Sequence, residues 1–202
     1  MTTLVIETAT AACSVALLDG DHVVAARHEL VGRGHAERLV PMIGEVLAEA
    51  GLNSANLILV DCGPGSFTGI RVGLAAARGL ALAWGVPVSG FSALALIAVT
   101  AKEDVGVALT GGHGELFVQR FAHLPFAPAD TLRSLRPEAA AAVIPDELVR
   151  GSGAEALVQA RGTGRAEEAF PDAGDARLLP PALTGLPPSP LYGRAPDAKI
   201  PA

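Results

Sequence analysis

The segment Gly63-Pro64-Gly65-Ser66-Phe67-Thr68-Gly69 joins a short apolar run, Leu57–Val60, to a helical pattern. Glycine permits positive φ and close backbone approach. Ser66 and Thr68 are good helix N-caps. A glycine turn that opens a helix aims backbone N–H groups and the positive end of the helix dipole at one place, which suits an anion. Gly63, Gly65, Ser66 and Thr68 would then form a phosphate loop, with Thr8 and Thr10 contributed by the turn after the first apolar run. A tight structural turn explains the same residues, and a glycine-rich turn alone does not choose between the two.

Residue types exclude two other chemistries here. No Lys-Ser/Thr pair follows the last glycine, so the lysine of a Walker A loop is missing. Positions 64 and 68 are Pro and Thr, so Ser66 does not sit in a Gly-x-Ser-x-Gly nucleophile elbow. A hydrolase would need Ser66 with His35 as its base, a pairing that nothing in the spacing supports. His22, His28, His35, His113 and His123 are scattered with no i,i+4 pair. Cys13 and Cys62 lack CxxC spacing and read as buried thiols. No metal and no cofactor is expected. Glu7 is either a weak phosphate-side carboxylate or a strand-end acid beside a turn.

Residues 1–100 supply the elements that carry these groups. Thr3–Thr8, Cys13–Leu18 and His22–Leu30 read as three strands joined by short turns, an antiparallel meander. Leu39, Met42, Ile43, Val46 and Leu47 recur at helical steps within about Ala36–Ala50, with Pro41 near the start and Gly51 at the close. Leu57–Val60 is a buried-type strand, 68–83 a helix, Pro87–Gly90 a strand and Ser92–Thr100 a helix. The order β-β-β-α-β-α-β-α predicts a mixed sheet with helices packed on it, as in a ribonuclease H-like unit. Beyond Glu103-Asp104, Val105–Leu109 and Glu115–Phe121 look like strands, helices are expected at Pro137–Ala142 and Ala154–Ala160, and Pro180–Pro190 should be extended.

The 202 residues are half hydrophobic and 18% charged, a balance that favours a folded chain of one large domain or two small ones. A net charge of −6 gives no broad grip on a phosphate backbone. The N-terminus lacks a basic n-region, so no signal peptide is expected. Gly79 to Ala101 is uncharged and long enough to span a membrane, but Gly85, Pro87 and Gly90 split it into core elements.

Several segments together resemble the TsaB (YeaZ) family: Ile6-Glu7-Thr8-Ala9-Thr10 with Cys13-Ser14-Val15-Ala16-Leu17, then His35-Ala36-Glu37-Arg38-Leu39-Val40-Pro41. GPGSFTG followed by Ile70-Arg71-Val72-Gly73, and Tyr192-Gly193-Arg194, complete the set. The match is specific across residues 1–100 and loose beyond. It implies an α/β fold of two ribonuclease H-like domains of the actin, Hsp70 and sugar-kinase superfamily, with mixed sheets flanked by helices. Residues 1–101 would form the domain carrying GPGSFTG and the partner-binding helices. Residues 102–202 would form a smaller, divergent domain with a Pro/Ala-rich tail.

The resemblance further implies a non-catalytic, cytoplasmic subunit. It would pair with TsaD, the catalytic paralogue, and join the ATPase TsaE in a ternary complex. That complex transfers a threonylcarbamoyl group to N6 of adenosine 37 in tRNAs reading codons that start with A. Alone, the chain would form a homodimer. It would meet tRNA only through the complex, and no membrane. The metal-binding His-x-x-x-His of TsaD aligns with Ala93 and Ile97, which ligate nothing. TsaB proteins generally carry Asp where Glu7 stands. They commonly read Asp-Ala-Arg-x-Gly-Glu where this chain reads Thr110-Gly111-Gly112-His113-Gly114-Glu115.

The resemblance places the pairing surface on the first two helices. Leu39, Met42, Ile43, Ile70, Arg71, Leu74 and Arg78 are expected there, with Gly69, Gly73 and Ala76 admitting a second helix. Glutamate at Ile70 and Leu74 should then abolish pairing without unfolding. On this reading GPGSFTG is a structural turn that launches the partner-binding helix. An ATP-dependent kinase-like enzyme and, further off, a peptidase or hydrolase are the alternatives.

Overall fold

The computed structural model describes residues 1–193. The first sheet begins with a meander: β1 (Thr2–Glu7), β2 (Ala12–Asp19) and β3 (His22–Leu30). Gly20, at φ 57°, makes the turn between β2 and β3. Helix α1 (His35–Glu49) crosses to β4 (Leu57–Asp61), and α2 (Phe67–Trp84) crosses to β5 (Val88–Phe91). The strand order is β3-β2-β1-β4-β5. β1 is antiparallel to β2 and parallel to β4, which is parallel to β5. β1, β2 and β4 are buried over most of their length, which explains their near-continuous apolar runs.

After the short helix α3 (Ala93–Ala98), a second sheet repeats the plan. Its strands are β6 (Val105–Thr110), β7 (Leu116–Ala122), β8 (Ala127–Pro128) and β9 (Arg133–Leu135), then β10 (Leu148–Arg150) and β11 (Arg165–Glu167). Helix α4 (Pro137–Val143) precedes β10 and α5 (Ala154–Arg161) follows it. The order β11-β10-β6-β7-β8, with β9 also on β7, is the first sheet's order read backwards. β6 is antiparallel to β7 and parallel to β10, as β1 is to β2 and β4. Two ribonuclease H-like units of mixed sheet and flanking helices therefore stand side by side. Helices α4 and α5 are about half as long as α1 and α2.

The tail returns to the first unit. A 3-10 turn at Ala173–Leu178 packs on β2 and β3, and the Ala173 amide donates to Ser14 Oγ at 2.9 Å. Pro180–Pro190, expected to be extended and loop-like, includes a short 3-10 turn at Pro181–Leu183. Leu186 then bridges Gly90 on the edge strand β5. Among the described residues no helix is long and apolar enough to cross a membrane.

The burial pattern corrects the expected pairing surface. Leu39, Met42, Ile43, Ile70 and Leu74 are all under 5% exposed and form core against the sheet. Only Arg71 and Arg78 of that set reach solvent. Gly69 and Gly73 do not face outward either. A Cβ at Gly69 would overlap the Thr8 carbonyl, and one at Gly73 would crowd the Thr8 hydroxyl. These glycines bring α2 against the end of β1, and that contact sets which face of α2 is buried. Glutamate at Ile70 or Leu74 would therefore bury a charge and unfold the protein.

Candidate functional site

The carboxyl ends of β1 and β6, the two central strands, open on one cleft between the units. Its volume is about 590 Å³. Thr10, Gly65 and Ser66 line one wall, and Thr110, Gly111 and Ser152 the other. The described lining offers hydroxyls, backbone groups and the aromatic rings of Phe67 and Phe170, with no charged side chain. Ser152 holds its wall by accepting the Thr110 amide at 3.1 Å. A second hollow of about 440 Å³ lies between the starts of α1 and α2, where Gly34, His35, Ser66 and Thr68 meet.

The glycine loop is locked to the turn after β1. The Ser66 amide donates to the Ala9 carbonyl at 2.6 Å, and the Thr8 hydroxyl donates to the Gly69 carbonyl at 2.8 Å. Ser66 Oγ caps α2 by accepting the Gly69 amide at 3.2 Å. A Cβ at Gly65 would overlap the Ala9 carbonyl. Gly63 needs its φ of 97° and lies against Ile70 and the Leu191 carbonyl.

Of the phosphate-loop candidates, Thr10, Gly65 and Ser66 therefore line the cleft. Thr68 opens on the second hollow instead. Thr8 and Gly63 are buried behind the loop as fasteners.

Two carboxyls lie beneath this junction. Glu7 is fully buried, and its Oε1 accepts the Ala9 amide at 2.7 Å. Of the two roles read for Glu7, burial removes the phosphate-side one and leaves the strand-end acid. Asp61 at the end of β4 does the same for the next turn, its Oδ1 accepting the Gly63 amide at 2.6 Å. Sequence reasoning missed Asp61, because a single acid after an apolar strand gives no sign of its neighbour. Ser66 and His35 form no catalytic pair: Ser66 Oγ is engaged with Gly69, and His35 Nε2 lies 2.9 Å from the Ala12 carbonyl. Cys13 and Cys62 are buried free thiols, each pushed up to about 11 chiefly by burial.

The outward faces of α1 and α2 form the other candidate site. α1 exposes Val40, Pro41, Gly44 and Ala48. α2 exposes Ala75, Gly79, Leu82 and Ala83, with Leu82 at 87%. The tail borders this surface. Arg71 lies over the Phe67 ring at 3.3 Å and donates to the Tyr192 hydroxyl at 3.0 Å, while Phe67 and Tyr192 stack at 5.8 Å. Arg78 donates to the Pro188 carbonyl at 2.6 Å. Tyr192 thus has a place in the fold; Arg194, next in the same motif, lies outside the described residues.

Two like-ordered mixed sheets with a cleft at their central strand ends have the architecture of the actin, Hsp70 and sugar-kinase fold. Residues 21–127 match the family described as TsaD: tRNA N6-adenosine threonylcarbamoyltransferase. Similarity over a greater length is to a related group. The tRNA threonylcarbamoyladenosine biosynthesis protein TsaB of Escherichia coli is 36% identical over 184 residues, covering 86% of this chain and 75% of that protein. The solved structure of YeaZ from Pseudomonas aeruginosa superposes with a TM-score of 0.77 at 31% identity, covering 88% of this chain and 89% of that one. The ethanolamine utilization protein EutJ from Carboxydothermus hydrogenoformans shares the fold alone, at TM-score 0.50 and 13% identity over 88% of each chain. The chain belongs to the TsaB (YeaZ) family.

Proposed function

We propose that this chain takes part in threonylcarbamoyladenosine biosynthesis as the non-catalytic partner of TsaD, in the cytoplasm. The observation that carries the reading is the outward face of α1 and α2. Val40, Pro41, Gly44 and Ala48 on one helix and Ala75, Gly79, Leu82 and Ala83 on the other are small or apolar and lie in solvent. Exposed apolar and small residues on neighbouring helices suit a protein interface. Small residues let helices of a partner approach closely, and Arg71 and Arg78 would lie at its rim. The same face would pair two copies when TsaD is absent. TsaE would join the heterodimer, and tRNA would be met through the complex. Tightness of fit to TsaD can be tested by gel filtration of the mixed proteins. Co-elution that is lost on Leu82→Glu, with the variant still folded, is the expected result. Separate elution of the unmodified proteins would overturn the reading.

The cleft favours one other reading, a kinase-like protein that binds nucleotide by itself. Its hydroxyls and backbone amides could meet a phosphate or ribose, but it carries no lysine or arginine among the lining residues. Titration of the isolated chain with Mg-ATP in a calorimeter separates the two. The partner reading predicts no heat of tight binding.

A further inference from the structure

We propose that Glu7 and Asp61 share a proton that fastens the turn after β1 to the loop after β4, so that the seating of the Gly63–Gly69 loop on that turn is proton-dependent. β1 and β4 are parallel neighbours in register at Ile6 and Val60, so Glu7 and Asp61 end the two strands side by side. One oxygen of each carboxyl accepts an amide from its own turn, Ala9 for Glu7 and Gly63 for Asp61. The remaining oxygens, Glu7 Oε2 and Asp61 Oδ2, are fully buried with no donor among the described residues. Two orphaned acceptors side by side are satisfied together by one proton placed between them.

The groups that act on the pair are the backbone amides of Ala9, Thr10, Gly63 and Ala93. The titratable neighbours are Cys13 on β2 and Cys62 after β4, both held as neutral thiols. Among the described residues no cation faces either carboxyl. Burial, and then the charge of Asp61, holds Glu7 well above the usual carboxylate range. Burial likewise pushes Asp61 up to about 7. Two carboxylates in contact inside the core cannot both ionise at low cost.

The mechanical consequence follows from what lies above the pair. The turn at Thr8 and Ala9 is the one that holds Ser66 and Gly69. With the last proton gone, two like charges push β1's turn away from the loop, and the Ser66 cap of α2 goes with it. The sign of the linkage is fixed by the raised values. The folded state keeps a proton that the unfolded chain releases in the ordinary carboxylate range. The stabilisation is complete below that range and is lost as pH rises through about 7 and beyond. None of this depends on the partner reading.

Urea unfolding of the full chain, from about pH 5 to about pH 9, tests it. The folding equilibrium constant should fall about tenfold per pH unit for each proton retained. In Glu7→Gln the amide donates to Asp61 without a titratable proton, so this fall should flatten and the variant should exceed the unmodified protein in stability at the alkaline end. Equal slopes in the two proteins would overturn the proposal. If the variant does not fold, infrared spectroscopy of the unmodified protein decides. A buried protonated-carboxyl band at neutral pH that disappears in alkali supports the shared proton, and its absence at neutral pH refutes it. Hydrogen exchange at the Ser66 and Gly69 amides, corrected for intrinsic pH dependence, should lose protection over the same interval. Constant protection would refute the link to the loop.

Discussion

The Thr8 hydroxyl donates to the Gly69 carbonyl at 2.8 Å, tying the turn after the first strand directly to the first turn of α2. There is no room for a side chain at this contact. Gly69→Ala should therefore cost roughly 1–3 kcal/mol of stability by overpacking. Thr8→Val keeps the shape but removes the side-chain donor from the Gly69 carbonyl, which keeps its helical bond, at roughly 0.5–1.5 kcal/mol. Urea denaturation of each variant measures both losses. A neutral Gly69→Ala would show that α2 is not seated by this contact.

The two faces of α2 should respond in opposite ways to the same substitution. Leu82→Glu places a charge in solvent and should change stability by no more than about 0.5 kcal/mol. Ile70→Glu buries an unpaired charge and should leave little folded protein. Circular dichroism of the two variants distinguishes them. Equal folding of both would mean that Ile70 is not core.

How much of this was legible beforehand differs between the two helices. In α1 periodicity picks out Leu39, Met42, Ile43, Val46 and Leu47 as one face, though not that the sheet rather than a partner covers it. α2 is small or apolar on nearly every side, so periodicity cannot choose which face meets the sheet. Gly69 and Gly73 make that choice by contact with Thr8, a residue on another strand. The glycines were visible in the sequence, but their neighbour was not. Asp61 was hidden for the same reason, since its meaning comes from Glu7 across the β1–β4 pairing. The second unit was obscured by its size. Strands as short as Leu148–Arg150 and Arg165–Glu167 carry too few residues for alternation to register, although their order repeats the first sheet.

The tail should be a structural part of the first unit. The Leu191 amide donates to the Cys62 carbonyl at 2.7 Å, and Leu186 exchanges backbone hydrogen bonds with Gly90. Truncation before Thr184 leaves these buried groups unpaired and should cost roughly 2 kcal/mol or more. Tyr192→Ala alone should cost about 1 kcal/mol, the value of its ring contact with Phe67. Thermal melts of the truncated and substituted proteins, compared at one pH, give both figures. An unchanged melting point on truncation would detach the tail from the fold.

In the second unit, Asp146 is buried and held by Arg120 through two bonds, at 2.7 and 3.0 Å. Arg120→Ala strands the carboxylate and should cost roughly 3 kcal/mol or more. Adding Asp146→Asn should recover most of that loss, because the stranded charge is then gone. A double-mutant cycle by urea denaturation reads the coupling. Simple additivity of the two substitutions would contradict the account.

The direct measurement of the central claim is threonylcarbamoylation of tRNA by TsaD and TsaE, with and without this protein. The account predicts that activity appears when the chain is added and is lost with folded Leu82→Glu. Full activity in its absence would contradict the claim.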